Sequence, residues 1–165
     1  MVFITSKVAI RSENFDRFLV IDGDGISSFV EPGFGNVTSS KTLGPLSTLY
    51  MDRYNNNTVA IRAPNHPGVF LRLDADDKNE HTFGWAWEGF GVANCQYSKE
   101  NLPARGGKET FEIVAHPDGA VSFRSVAYPG AYLRMDDVGK VNCQWYGEGR
   151  PSSRSWELFK VILLE

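Results

Sequence analysis

Several hallmarks of other protein classes are missing from this 165-residue chain. No window approaches the ~18 consecutive apolar residues of a membrane span. The opening stretch, "MVFITSKVAIRSENF", lacks the apolar core and the small-residue cleavage site of a secretory signal. Seventeen Lys and Arg face twenty Asp and Glu, for a net charge of −3. Nucleic acids and anionic membranes attract clustered positive charge, so we expect neither as a partner.

The residue patterns of catalytic and metal sites are also missing. There is no glycine-rich phosphate loop, no nucleophile elbow, and no pair among the three histidines at metal-ligand spacing. The segment "DGDG" at 22–25 opens like a calcium-binding EF-hand loop, but Ser27 and Gly33 stand where that loop needs glycine and glutamate. We therefore predict a protein that is not an enzyme, with no cofactor and no metal.

Cysteine is scarce. The chain has only Cys95 and Cys143, which lie in the similar segments "VANCQY" and "KVNCQW". Matching positions in repeated units lie well apart, whereas a disulfide needs Cα atoms within about 7 Å. We expect both residues to be reduced, small and buried. Free thiols fit a reducing compartment, which predicts a cytoplasmic location.

The chain contains one sequence motif in three copies. The segments "VAIRSENFDRFLVIDGDG", "VAIRAPNHPGVFLRLDADD" and "VSFRSVAYPGAYLRMDD" begin at Val8, Val59 and Val121. Internal repetition of this length indicates a fold assembled from one structural unit. The repeats extend over about 8–58, 59–120 and 121–165 of a single domain, 1–165.

Each repeat alternates apolar and polar residues, as in "VSFRSV" and "AYLRM", and this period of two is typical of antiparallel strands. Turn formers such as "HPG", "YPG" and "HPDG" separate the runs. No segment keeps a helical period, so we predict about four short strands per repeat and twelve in all. Three such units can share a core around a pseudo-threefold axis, which predicts an all-β β-trefoil. A β-sandwich and a three-bladed array are the structural alternatives.

The residue pattern "V-x-[IF]-R-S...[YF]-L-R-[ML]-D...V-N-C-Q...W-E-x-F-K-V" resembles the fascin-like, or actin-crosslinking-like, branch of the β-trefoils. The third repeat is also similar to repeats of the arabinose-binding trefoil modules of arabinofuranosidases. The resemblance spans Val8 to Val161 and implies a binding module for actin or for a sugar. Fascins, however, join four trefoils in tandem, and the arabinose-binding repeats pair aspartate with histidine, whereas only the aspartates recur here.

Aspartates follow the same strand in every repeat and are the first candidate ligand-binding residues. They are Asp22 and Asp24, Asp74 with Asp76 and Asp77, and Asp136 with Asp137. Carboxylates accept hydrogen bonds from sugar hydroxyls, often two at once. The alternative is structural, because aspartate also bonds its own backbone in tight turns.

Two further segments combine aromatic and amide side chains. The insertion "HTFGWAWEGFGVAN" at 81–94 sets Trp85 and Trp87 among glycines, either as a binding loop or as a plug at one end of the barrel. The segment "NCQWYGEG" offers amide and aromatic groups of the kind that lectins use, and 94–97 repeats it in part. The candidates here are Asn94, Gln96, Asn142, Gln144, Trp145 and Tyr146. Their alternative role is a strand with a solvated polar face.

We therefore predict a non-catalytic, lectin-type carbohydrate-binding module with shallow and possibly multivalent sites, on a monomer or weak homodimer. The second and third repeats are the expected sites because they hold the tryptophans. Multivalency would multiply weak affinities. A protein-binding module, with actin as the partner, and a protease inhibitor are the alternatives. Arg72 and Arg134 are expected to brace neighbouring loops rather than bind anions.

Overall fold

A computed structural model describes residues 3–26, 35–54, 57–75, 89–98, 102–103, 106–152 and 156–164. These residues form twelve strands and two single-turn 3-10 helices, at Pro45–Ser47 and Pro117–Gly119. The strands are β1 (Phe3–Ser12), β2 (Phe18–Asp22), β3 (Asn36–Ser40), β4 (Leu49–Tyr54), β5 (Thr58–Arg62), β6 (Val69–Asp74), β7 (Val92–Tyr97), β8 (Phe111–Ala115), β9 (Val121–Ser125), β10 (Ala131–Met135), β11 (Val141–Trp145) and β12 (Phe159–Leu163). Within the described ranges, no helix is long and apolar enough to cross a membrane.

Six of the strands close into a barrel. β1 pairs with β4, β4 with β5, β5 with β8, β8 with β9, β9 with β12, and β12 returns to β1, all antiparallel. The other six form three hairpins, β2–β3, β6–β7 and β10–β11. Closure pairs the backbone of every barrel strand on both sides, which leaves the barrel without an open edge.

The three repeats have the same register, which confirms the predicted β-trefoil and its threefold pseudosymmetry. Val8, Val59 and Val121, which open the repeats, pair with the first residue of the last strand in their own repeat. Those partners are Leu49, Phe111 and Phe159. Each hairpin joins the barrel through one equivalent pair. These pairs are Arg11 with Phe18, Arg62 with Phe70, and Arg124 with Tyr132.

One core connects the barrel with its three hairpins. Phe111, Phe123 and Phe159 are fully buried in the barrel, and their rings meet edge to face or tilted, with centroids 5.8–6.5 Å apart. The hairpins add equivalent leucines, which are Leu19, Leu71 and Leu133. Burying one such side chain contributes about 1.5–3 kcal/mol, and no single repeat could enclose these residues alone.

The two cysteines lie at matching points where the hairpins meet. Cys95 pairs with Leu71 and Cys143 with Leu133, and Ser39 holds the same place opposite Leu19. Both cysteines are free and fully buried, as predicted. Burial, helped by the charge of Asp22, raises the pKa of Cys95 to about 12, and burial also raises the pKa of Cys143. Because burial alone shields these thiols, their being free does not test the predicted cytoplasmic location.

A small residue is needed at these points because a glycine of the preceding repeat packs on each of them. The pairs are Gly35 with Cys95, Gly91 with Cys143, and Gly139 with Ser39. The β-bridges between Gly35 and Cys95 and between Phe90 and Cys143 run along the same seam. We call these three glycine contacts the hairpin seam.

We expect neither cysteine to react with an anionic aromatic disulfide reagent in the native protein. Attack needs the thiolate, and both thiols are buried with raised pKa values. Absorbance of the released thiolate should report no reaction in buffer and two equivalents in denaturant. Rapid reaction of one thiol in buffer would show that the hairpin seam opens locally.

Candidate functional site

Three aspartates end the first strand of the three hairpins at strictly equivalent positions. Asp22 follows Ile21 in β2, Asp74 follows Leu73 in β6, and Asp136 follows Met135 at the end of β10. The register across the hairpins aligns Ile21 with Val37, Leu73 with Ala93 and Met135 with Val141. The fold therefore gives each repeat one carboxylate at the same place, and its surroundings decide what that carboxylate does.

In the third repeat the carboxylate is used internally. Asp136 Oδ1 accepts hydrogen bonds from the backbone N–H of Val138 at 3.0 Å and of Lys140 at 2.8 Å. Its Oδ2 lies 4.0 Å from the guanidinium of Arg134, and the residue is only 8% exposed. This is the turn-forming role, reinforced by a buried ion pair.

In the second repeat the carboxylate is also neutralised from within the protein. Asp74 Oδ2 accepts a hydrogen bond from Arg72 at 2.9 Å and lies 3.5 Å from Lys108 Nζ. Its Oδ1 accepts a 3.4 Å hydrogen bond from the hydroxyl of Tyr128. Two cations and a phenol thus hold this carboxylate.

The two arginines that hold these aspartates are the largest fully buried side chains. Arg134 donates to Asn142 Oδ1 at 3.0 Å, and its guanidinium lies 4.6 Å from the ring centroid of Trp156. Arg72 faces Asn94 across its hairpin in the same register. The ion pairs of both arginines join them to an aspartate two residues further along the same segment, and Arg134 also bonds the opposite strand through Asn142, so their bracing of neighbouring loops stays a prediction.

A buried glutamate completes the Arg134 cluster, and a second buried glutamate holds the equivalent position in the second repeat. Glu157 is 3% exposed and accepts a 2.6 Å hydrogen bond from Tyr146. Burial raises its pKa, against the opposing effects of that hydrogen bond and of nearby Arg134. Glu109 holds the equivalent position, two residues before Phe111, and is 1% exposed.

The first repeat lacks this cluster. The places of arginine, asparagine and glutamate are taken by Val20, Thr38 and Ser47, as the register of the hairpin and of Leu49 shows. The three residues change together because a buried arginine needs its acceptors, and buried acceptors need their arginine. Asp22 is thus the one aspartate of the three equivalents without a buried arginine beside it.

Asp22 is held by uncharged donors instead. Its Oδ1 accepts from the backbone N–H of Asp24 at 3.0 Å and from Asn65 Nδ2 at 3.0 Å. These hydrogen bonds, the backbone one first, lower the pKa of Asp22 below its ordinary value of 3.8. Within the described part of the chain, no hydrogen bond or ion pair is made to Oδ2 of this carboxylate. Asp22 is therefore ionised at neutral pH, and its two described hydrogen bonds both go to Oδ1.

An open pocket of about 300 Å³ lies beside Asp22. Its lining combines two carboxylates, an amide, backbone and one apolar side chain. The lining residues are Asp22, Asp24, Gly25, Ile26, Gly35 and Asn36. Asp24 and Asn36 are exposed, whereas Ile26 is only 5% exposed. The pocket thus presents polar groups over an apolar contact, on the turn between the two strands of the first hairpin.

Four of the predicted ligand-binding residues are not on the surface. Asn94, Gln96, Asp136 and Asn142 are each at most 9% exposed, so neither a shallow surface site nor a solvated polar face describes them. The strand alternation suggested one buried and one open face, but both faces of the β6–β7 and β10–β11 hairpins are covered. One face packs on the core, and the other surrounds the buried arginines.

The remaining predicted residues of the third repeat are accessible. Asp137 is exposed, and Gln144, Trp145 and Tyr146 are half-buried. A Cβ added to Gly130 would lie 2.6–2.8 Å from three ring atoms of Trp145, so the indole lies flat on the backbone there. Their ligand-binding role stays a prediction. Asp76, Asp77, Trp85 and Trp87 lie outside the described residues, as does most of the 81–94 insertion.

The sequence contained a signal for the pocket of the first repeat. "FLVID" differs from "FLRLD" and "YLRMD" by valine in place of arginine, directly before the shared aspartate. That difference marks the aspartate without an internal cation. Because all four tryptophans lie in the second and third repeats, sequence reasoning favours those repeats and misses this signal.

Comparison with known proteins supports the fold. No protein-family model matches the chain, and neither does any curated protein. Among solved structures, a mosquitocidal holotoxin is similar, with a TM-score of 0.69 and 14% identity, over 99% of this chain and 18% of the toxin. A GlcNAcα1-4Gal-releasing endo-β-galactosidase from Clostridium perfringens has a TM-score of 0.59 and 14% identity, over 97% of this chain and 33% of that enzyme.

A third similar structure is ThreeFoil, a designed protein with threefold symmetry. Its TM-score is 0.64 at 13% identity, and the match covers 95% of this chain and 98% of ThreeFoil. The chain thus corresponds to nearly all of ThreeFoil. It spans 18% of the toxin and 33% of the galactosidase. Structural similarity at identities this low establishes the fold alone.

Proposed function

We propose that this chain is a non-catalytic, lectin-type carbohydrate-binding module, and that the pocket beside Asp22 is its binding site. The observation that carries the proposal is the break in symmetry among the three equivalent aspartates. Asp74 and Asp136 are neutralised inside the fold, whereas Asp22 keeps its charge beside an open pocket. An ionised group without a described internal cation is a candidate for recognition.

The pocket chemistry suits a sugar. Asp22 Oδ2 and the Asp24 carboxylate can accept hydrogen bonds from neighbouring hydroxyls, and the Asn36 amide can both donate and accept. Ile26 offers apolar contact to the C–H face of a ring. The described residues that line the pocket include no nucleophile paired with a base, so binding without chemistry is the function that they support.

The charge of the pocket restricts the class of sugar. Two carboxylates and no cation stand among its described lining residues. Carboxylated or sulfated sugars would place like charges together without a counter-ion, which opposes binding. The preferred ligands are therefore neutral. The similar enzyme from Clostridium perfringens is a galactosidase, which makes galactose-containing oligosaccharides the first to test, with arabinose-containing ones second.

We expect Asp22→Asn to weaken binding of such a sugar roughly tenfold or more, because charge-assisted hydrogen bonds are stronger than neutral ones. Asparagine keeps an oxygen that can accept from Asp24 and Asn65, so the turn should persist and the melting temperature should change little. Calorimetric titration measures the affinity.

Asp137→Ala is the matched control. It removes an exposed carboxylate from the equivalent turn of the third repeat. Unchanged binding in this variant, with loss in Asp22→Asn, places the site in the first repeat. The reverse result would move the site to the third repeat, and binding of neither galactose- nor arabinose-containing sugars by the wild-type protein would reject the proposal.

A further inference from the structure

We infer that Asn65, which belongs to the second repeat, is a positioning residue for the sugar site of the first repeat. It lies on the turn 63–68 between β5 and β6, outside the lining of the pocket. The inference rests on the proposed function and adds to it a dependence of one repeat's site on its neighbour.

The contact uses both ends of the Asn65 amide. Asn65 Nδ2 donates to Asp22 Oδ1 at 3.0 Å, and Asn65 Oδ1 accepts from the backbone N–H of Gly23 at 2.9 Å. A single side chain thus fixes a carboxylate and the peptide that follows it. Asn65 is exposed, so the core does not require this arrangement.

The backbone at Gly23 is shaped for this docking. A Cβ at Gly23 would lie 3.0 Å from the Cβ atoms of both Ala63 and His66 and 3.2 Å from Asn65 Oδ1. These distances are tighter than most real Cβ contacts, so any other residue at Gly23 would push the turn of the second repeat away by a few tenths of an ångström. Gly23 is itself buried by that turn.

The geometry has a consequence for the ligand. With Asp22 Oδ1 held by two donors, Asp24 N–H and Asn65 Nδ2, the carboxylate cannot rotate without losing both. Its other oxygen therefore keeps one direction before any ligand arrives. Fixed acceptors bind hydroxyls more tightly because less conformational entropy is lost on binding.

The corresponding contact between the third and second repeats shows how the contact of Asn65 with Asp22 differs. Tyr128, on the equivalent turn of the third repeat, reaches Asp74 Oδ1 with a single 3.4 Å hydrogen bond. That aspartate is already held by Arg72 and Lys108. Loss of Tyr128 OH should therefore leave its carboxylate in place, whereas none of the described residues gives Asp22 a cation that could replace Asn65.

The test compares Asn65→Ala and Asn65→Asp with Tyr128→Phe. Asparagine-to-aspartate is nearly isosteric and places a second carboxylate against Asp22, so we expect the pKa of Asp22 to rise in both Asn65 variants, most in Asn65→Asp. The other titratable groups facing Asp22 are Asp24 on its own turn, His66 on the docked turn, and Cys95 on β7, which hydrogen-bonds the Asp22 carbonyl. None of them changes in these variants.

Two readouts separate the inference from the proposed function. NMR titration of the Asp22 carboxyl in the ligand-free protein measures its pKa, and calorimetry with the galactose-containing sugar measures affinity. We expect a raised Asp22 pKa and a roughly tenfold weaker affinity in Asn65→Ala, and no change in either quantity in Tyr128→Phe. An Asp22 pKa equal to that of the wild type in both Asn65 variants would overturn the inference, whatever the protein binds. A raised pKa in a protein that binds no sugar would support the positioning contact and reject only the proposed ligand.

Discussion

Arg134→Val should lower the free energy of unfolding by about 3–5 kcal/mol, because it removes one partner from a buried ionic cluster and leaves the others. Asp136 and Glu157 would remain almost fully buried, and Asn142 Oδ1 would lose its 3.0 Å donor. The stacking contact with Trp156 would also disappear. Chemical denaturation measures the loss.

The first repeat supplies the compensating changes. Its residues at these positions are Val20, Thr38 and Ser47, so the triple variant Arg134→Val, Asn142→Thr, Glu157→Ser gives the third repeat an arrangement that the fold already tolerates. We expect the triple variant to recover roughly half or more of the lost free energy, because Asn142 and Glu157 are then removed together with their arginine, and Asp136 keeps its two backbone N–H donors. A triple variant no more stable than Arg134→Val would show that the clusters are not interchangeable.

The loss in free energy of unfolding caused by Arg134→Val should also depend on pH. Burial already raises the pKa of Glu157 above its ordinary value of 4.5, and loss of the attraction from Arg134 raises it further. A carboxyl with a raised folded-state pKa destabilises the fold once it is ionised, so the penalty is full above that pKa and fades as the pH falls towards 4.5. The difference from the wild-type protein should therefore narrow in mildly acidic buffer. A constant difference between neutral and mildly acidic pH would assign the loss to packing.

The architecture could be predicted from the sequence because the information was local and repeated. Alternation, turn residues and three copies of "V-x-[IF]-R" are sufficient to specify four strands per repeat, and closure follows from the need to share a core. The free, buried cysteines followed from the same reasoning. Each of these predictions depends on a pattern within one repeat, and the pattern recurs in all three repeats.

The site could not be predicted in the same way, because burial depends on contacts between distant segments. Asn142 reads as a surface amide in "VNCQW", yet it faces Arg134 inside the hairpin. The contact of Asn65 with Asp22 joins residues 43 positions apart in sequence and belongs to neither repeat alone. The strand and turn pattern that the repeats share predicts the scaffold. The pocket depends instead on the arginine that the first repeat lacks, at Val20.

The hairpin seam shows how closely the repeats must fit. A Cβ at Gly91 would lie 2.5 Å from the backbone oxygen of Asp74 and 2.7 Å from Cys143 Sγ, at a φ of +67°. At Gly35, where φ is not positive, a Cβ would lie 2.3 Å from Cys95 Sγ and 3.0 Å from the Cys95 carbonyl oxygen. The two glycines are equivalent in the fold but differ in the cause of their constraint. One is limited by backbone conformation and a backbone neighbour, the other mainly by a side chain.

Gly91→Ala should therefore cost about 3–5 kcal/mol, from a strained φ together with overpacking against fixed backbone, and Cys143→Ala should not restore stability. Gly35→Ala should cost about 1–3 kcal/mol, and here Cys95→Ala should recover part of the loss because it removes the clashing sulfur. Urea denaturation of the four single variants and of the two double variants, one for each glycine–cysteine pair, gives both coupling energies. A favourable coupling at Gly35 with Cys95 and none at Gly91 with Cys143 is the expected result. Equal couplings at the two sites would contradict the distinction, and would mean that the backbone at Gly91 yields as readily as a side chain.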